Sequence, residues 1–192
     1  MDTEFSAIAN TIKSRRSVKA QAMNGNKIPN GHIAAILELA NWAPTHGNTE
    51  PWRFIVYENP TEFCLQHAEL YRQNSMGDNF IPGTYDKLLH QGDKVSHVIV
   101  AVMKRGDLPK ITQFEEIAAA SSAIQNMLLG ATALNIASFW STGGMALKPA
   151  LKEFLGFGAD DLIMGIFYFG YADEHPAGKR NTEIEEKITW LK

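Results

Sequence analysis

Apolar residues recur at helical spacing from the start of the chain. Phe5, Ile8, Ala9 and Ile12 predict a helix over residues 3–15, with Asp2 or Thr3 as its cap. Asn24-Gly25-Asn26 is a turn signal. Ile33, Ile36, Leu37 and Ala40 then share one face, so a second helix opens at Pro29-Asn30. It ends near Trp42, because Pro44 disfavours helix at the residue before it. Residues 52–58, Trp-Arg-Phe-Ile-Val-Tyr-Glu, read as a strand, and a helix over 62–72 follows Pro60. Residues 95–103 are a continuous apolar run of the kind found in strands buried on both faces. Residues 111–134 are rich in Ala, Leu and Met and apolar over more than half the circumference, which predicts a long helix buried on several sides. A short strand at 137–140, a short helix from Pro149 to Gly156 and a strand at 162–171 follow. Residues 74–94 show no clear period and read as an excursion with one helical turn. Residues 172–192 read as an extended arm.

That order of helices and strands, without internal repeats, suits an α+β or α/β sandwich. The chain has 192 residues, the length of one domain with an arm. The arm carries Ile184, Ile188, Trp190 and Leu191 but has no domain of its own, so it needs a partner surface. A second copy of the chain is the simplest candidate. Eighteen basic residues against 21 acidic ones give no global basic field for nucleic acid or an anionic membrane. Cys64 is the sole cysteine, which excludes an internal disulfide and a zinc cluster built on thiolates. The apolar runs 98–103 and 166–169 are too short to span a bilayer, and residues 1–17 lack the apolar region of a signal peptide. A cytoplasmic protein is the expectation.

Four features carry candidate chemistry. Arg15-Arg16-Ser17 places two guanidinium forks and a hydroxyl at a helix end, which suits a phosphate. The same arginines would also complement a helix dipole. Residues 43–52, Ala-Pro-Thr-His-Gly-Asn-Thr-Glu-Pro-Trp, form a loop bounded by prolines. Its hydroxyl, imidazole and carboxamide can bond a heteroaromatic edge, or serve a turn with capping side chains. Long polar loops between a helix and a core strand are usually functional. Trp140-Ser141-Thr142-Gly143-Gly144 follows a strand with small residues that let backbone N–H groups approach a ligand. Lys179-Arg180 in the arm would close on a phosphate or simply be solvated. The chain contains neither a Gly-x-Gly-x-x-Gly fingerprint nor a P-loop, against a dinucleotide domain of that type and an NTPase. The six histidines lack metal-ligand spacing. Cys64 reads as core, Glu115-Glu116 as capping and charging a helix start, and Ser121-Ser122 lacks a nucleophile elbow.

Taken together, the early Arg-Arg-Ser, the Pro-Thr-His-Gly-Asn-Thr-Glu-Pro-Trp loop, the Gly-Gly after a strand and the final Phe-Gly-Tyr before a basic arm resemble the nitroreductase family. The likeness covers nearly the whole chain, in order, and is greatest to short bacterial NAD(P)H nitroreductases. It implies an α+β fold with a central mixed, largely antiparallel sheet between helical layers. It also implies an intertwined homodimer with exchanged C-terminal arms and two FMN sites at the subunit interface. Hydride would pass from NADH or NADPH through the flavin to nitroaromatic or quinone-like acceptors. Relatives with other flavin chemistry, such as reductive dehalogenation or flavin breakdown, and flavin-binding modules without turnover are the alternatives. By resemblance, Arg15, Arg16 and Ser17 hold the FMN phosphate and ribityl side, and Lys19 reaches the pyrimidine edge. Pro44, Thr45, His46 and Asn48 come from the other subunit. Trp140, Ser141, Thr142 and Gly143 line the isoalloxazine ring, and Arg180, with Lys179, completes the phosphate clamp. No side chain is implied as catalytic. Two positions depart from the family pattern: Glu50 stands where Gln is common, and Arg53 where His is common.

Overall fold

Strand β2 (His97–Met103) organises the molecule, because all seven of its residues are buried. A strand with no polar face must be covered on both sides. The computed structural model, which describes residues 3–75 and 77–191, shows that cover. The sheet runs β1-β2-β4-β3, with β1 at Trp52–Tyr57, β3 at Ala137–Ser141 and β4 at Leu162–Gly170. All three strand pairs are antiparallel. The mixed character expected from the sequence is reduced to one isolated parallel bridge, Ser17 to Ser138.

Side-chain alternation divides the core in two. Val98, Val100, Val102, Ile166 and Tyr168 face helices α3 (Pro60–Asn74), α4 (Pro82–Leu89) and α6 (Pro149–Phe154) through Phe63, Leu88 and Leu151. Ile99, Ala101, Phe167 and Phe169 face α2 (Asn30–Asn41) and α5 (Gln113–Ala133) through Ile33, Ile36, Ala123 and Met127. The result is a helix–sheet–helix sandwich. Each large aliphatic or aromatic side chain so buried contributes about 1.5–3 kcal/mol. Cys64 is buried in this core, as its pattern implied, and burial pushes its thiol up to about 12.

Local signals set the ends of α5. Thr112 accepts the Glu115 N–H while the Glu115 carboxylate accepts the Thr112 N–H, a reciprocal capping box. At the far end, Asn135 adopts φ 55° and the Ile136 N–H returns to the Ala131 carbonyl. Ser121 and Ser122 donate to the carbonyls four residues back and stay within the helix.

The segment 74–94 departs from expectation. It holds the eight-residue α4, not a single turn. Pro82 occupies the first turn, where proline is favoured, and Tyr85, Leu88 and Leu89 pack as a short apolar face. The Tyr85 hydroxyl donates to Glu69 at 2.7 Å, and the Ile81 N–H donates to the Tyr71 hydroxyl at 3.0 Å, so α4 is pinned to α3.

Helix α1 (Thr3–Ser14) has no buried residue, although Phe5, Ile8 and Ile12 lie along it. Asp2, the alternative cap for this helix, lies outside the described residues. Beyond Gly170 the described chain has one short 3₁₀ turn, Glu185–Lys187, and is otherwise extended or bent. No helix among the described residues is long and apolar enough to cross a membrane.

Candidate functional site

Two groups of the singled-out residues take shape at opposite edges of the sheet. The first lies beside β3. The chain leaves α1 at Arg15, and the Val18 N–H donates to the Ser138 carbonyl at 2.9 Å, which draws Ser17 against the strand. Arg15, Ser17, Ser138 and Trp140 line a cleft of about 180 Å³ with Gln125 of α5. Among the described residues the Arg15 guanidinium has neither hydrogen-bond nor ion partner. Arg16 differs: its Nε donates to the Pro176 carbonyl and its Nη1 to the carbonyls of Lys13 and Arg15. It fastens the arm to the end of α1. Lys179 and Arg180 follow that contact, both exposed. Lys19 is exposed ahead of the 3₁₀ turn Ala20–Ala22.

Trp140 is held firmly. Its indole N–H donates to the Met164 carbonyl at 2.9 Å, and its ring lies 5.0 Å from that of Phe167. Gly165, at a β-bulge with φ 149°, leaves room for the indole. A Cβ there would collide with Trp140 Nε1. Ser141, Thr142 and Gly143 follow, and a Cβ on Gly143 would meet only Ser141 Oγ at 3.9 Å, so that backbone is open to a close approach. Gly144 has φ 63°, and His67 lies directly below it. The His67 Nε2 accepts the Met145 N–H at 2.9 Å. Its Nδ1 is buried without a partner, and desolvation lowers its pKa to about 4.

The second group lies ahead of β1. The Trp52 indole donates to Asn41 at 3.0 Å and roots the loop in the core. Gly47, Asn48 and Glu50 have φ of 64°, 53° and 42°. Asn tolerates that conformation and Glu does so at a cost, a concentration of strain typical of functional loops. His46 Nδ1 bonds Glu115 Oε1 at 2.8 Å, and Thr45 Oγ1 bonds Thr49 Oγ1 at 3.0 Å. The Thr112 backbone, His46 and the Thr112 hydroxyl together hold the Glu115 carboxyl down at about 2. Pro44 precedes this turn. Arg53 donates to the carbonyls of Glu50 and Trp52 rather than to the Glu50 carboxylate.

The strand order places β2 and β4 between the two groups, so they are separated by three strand spacings, about 14 Å, or more. Within one chain they do not meet. Three polar contributors escaped the sequence reading. Gln125 is a lone amide on a long apolar helix and gave no signal. Lys148 and Lys152 flank the start of α6 and border a cavity of about 510 Å³ next to Thr142. The sequence shows Glu116 only as a helix-start charge. It lies in the first turn of α5 and is also buried, paired with Arg105 and accepting the Gly106 N–H at 3.0 Å. No cluster of three or more potential metal ligands occurs among the described residues.

Comparison with known proteins identifies the family and the fold. Residues 12–171 match the profile of the Nitroreductase family. YfhC of Bacillus subtilis, a candidate NAD(P)H nitroreductase, is 28% identical over 190 residues, covering 97% of this chain and 95% of its own. The crystal structure of a nitroreductase-like family protein from Bacillus cereus superposes with a TM-score of 0.83 at 29% identity, over 96% of this chain and 95% of that one. A nitroreductase from Bacteroides fragilis, solved with bound FMN, gives a TM-score of 0.68 at 25% identity, over 96% and 98% of the two chains. The residues beside β3 and the strained loop before β1 are thus set in the framework of a known family, and the chain belongs to the nitroreductase family of oxidoreductases.

Proposed function

We propose that the protein is an FMN-dependent homodimer that passes hydride from NADH or NADPH to nitroaromatic or quinone-like acceptors. The observation that carries this reading is the cleft beside β3. Its lining joins an arginine whose guanidinium has no partner among the described residues, a hydroxyl and a fixed indole wall. A guanidinium fork and a hydroxyl suit a phosphate monoester, and an aromatic wall suits a flat heteroaromatic. FMN has both parts, and the Bacteroides fragilis relative binds it.

In this reading Arg15 and Ser17 bind the phosphate. Arg16, by fastening the arm, sets where Lys179 and Arg180 approach it. Lys19 reaches the pyrimidine edge. Trp140 and the Ser141–Gly143 backbone lie along the ring. Bound FMN supplies the two-electron hydride chemistry. The protein supplies orientation, cationic groups for the negative charge of the reduced ring, and exclusion of water.

A cleft of about 180 Å³ takes the phosphate end and leaves the rest of such a ligand uncovered. A second chain would cover it with its own Pro44, Thr45, His46 and Asn48. Three observations support that pairing. The two groups of residues lie at opposite sheet edges. The apolar residues of α1 are uncovered, and a groove there runs past Ile8, Ile12, Leu39 and Trp42, the last 78% exposed. Trp190 and Leu191 of the arm are 84% and 92% exposed, apolar surface that a monomer would not leave open.

The test begins with colour. Purified protein should carry a flavin absorption band, or take up FMN with a rise in Tm. It should oxidise NADH or NADPH only when a nitroaromatic or quinone is present. Arg15→Ala with Ser17→Ala should weaken FMN binding at least tenfold, a loss of about 1.4 kcal/mol or more. Absence of FMN binding overturns the reading. Bound FMN without acceptor-dependent turnover leaves a flavin-binding module.

A further inference from the structure

We propose that the cavity beside Thr142 is an acceptor subsite that selects aromatic compounds carrying an anionic substituent, an inference that rests on the flavin reading above. The cavity, about 510 Å³, lies between the first half of α5, the start of β4 and α6. That volume is in the range of small-molecule sites. Ile117, Leu162, Ile163 and Met164 give it apolar walls, and Lys148 and Lys152 stand at its border.

Neither lysine forms an ion pair among the described residues. Asp161 also borders the cavity, but it is buried and each of its carboxylate oxygens accepts a backbone N–H, so it pairs with neither lysine. Oδ1 accepts the Arg105 N–H and Oδ2 the Gly158 N–H, each at 2.8 Å. Lys152 donates to the Ala159 carbonyl at 2.6 Å, which fixes its position while keeping its charge. Lys148 has no partner among the described residues. An apolar chamber with two ammonium groups at its border fits an aromatic acid better than a neutral aromatic.

The cavity also adjoins the proposed flavin wall. Met164 lines it and gives its carbonyl to the Trp140 indole. Thr142 lines it and belongs to the turn assigned to the flavin ring. An aromatic acid seated here would direct its reducible group towards Thr142 and its anionic group towards Lys148.

Calorimetric titration of the FMN-loaded protein with benzoate and with benzamide tests this without turnover. Benzoate should bind at least about fivefold more tightly, the scale of one partly exposed ion pair. Lys148→Met should bring the two affinities together, and Lys148→Arg should keep them apart. Steady-state KM values for 4-nitrobenzoate and 4-nitrobenzamide should diverge in the same direction. Equal affinities in the unaltered protein overturn the proposal, as does a benzoate preference that survives Lys148→Met. A rise in the KM of NADPH but not NADH on Lys148→Met, with benzoate preference unchanged, gives the cavity to the donor's phosphate and also overturns it. A preparation that takes up no FMN fails earlier and separately: the missing visible absorption sinks the flavin reading before any benzoate is added.

Discussion

His67 sits beneath the turn that follows β3 and holds it from inside, through the Met145 N–H. The imidazole must stay neutral to accept that bond. Burial lowers its pKa from 6.5 to about 4, so the unfolded chain binds the proton more readily than the folded one. The resulting stability is complete above about pH 6.5, declines as pH falls towards 4, and is lost below that. The full linkage amounts to about 3 kcal/mol. His67→Gln retains an acceptor without the titration, so a plot of Tm against pH should be flatter for the variant between those limits. His67→Leu should leave the Met145 N–H unpaired and lower Tm at every pH, with FMN affinity falling alongside. Gly165 makes a second test. A methyl group there meets the Trp140 indole and a backbone φ that L-residues rarely adopt. Gly165→Ala should cost about 2–3 kcal/mol by denaturant titration and displace Trp140, seen as altered tryptophan emission.

At the scale of elements, the loop before β1 is held through the start of α5. Glu115 closes the capping box and grips His46 at once. Its carboxyl is held down at about 2, so these contacts are intact above about pH 4.5 and fail as pH falls through 2. Thr112→Ala should destabilise α5 by about 1 kcal/mol in denaturant titration. It should also speed hydrogen exchange across residues 45–50, since Glu115 loses its anchor. Exchange unchanged in that loop would detach it from the cap. These couplings explain what the sequence made legible. Strands and long helices were visible because apolar periodicity reports burial directly: the run at 95–103, whose strand spans His97–Met103, and the Ala-rich α5 behave as their patterns imply. Helix α4 was hidden because Pro82-Gly83-Thr84 resembles a turn, and its aromatic bracing by Tyr71 and Phe80 is a tertiary contact. Arg15, Ser17 and Trp140 were legible as chemistry, and the structure brings them to one cleft. Arg16 was indistinguishable from Arg15 in sequence. The arm at Pro176 and the carbonyls at the end of α1 engage Arg16, while the Arg15 guanidinium has no partner among the described residues. Gln125 and Lys148 belong to no motif, and only packing shows what they border.

The whole molecule leaves its apolar surface in a pattern rather than at random. One exposed stripe joins α1, Leu39 and Trp42, and another runs along the arm to Leu191. Ile8→Asp with Trp42→Asp should convert a homodimer to a monomer in analytical ultracentrifugation. It should also weaken FMN binding by at least tenfold, although neither residue touches the cleft. Retention of FMN by a monomer would show that one chain suffices. The arm is held at two points: Asn24 donates to the Asp173 carboxylate at 2.8 Å, and farther along the contact is with the main chain. Arg16 grips the carbonyl of Pro176, and the space it occupies would be invaded by any side chain at position 178. A grip on the main chain is blind to side-chain identity. Residues on either side of the contact can therefore drift during evolution, or be redesigned, while the arm keeps its route. At this contact Gly178 and Arg16 are the residues constrained by shape. The fold thus separates where the arm goes from what it carries, and a change of ligand preference could be written into residues 179–191 without rebuilding the sandwich beneath.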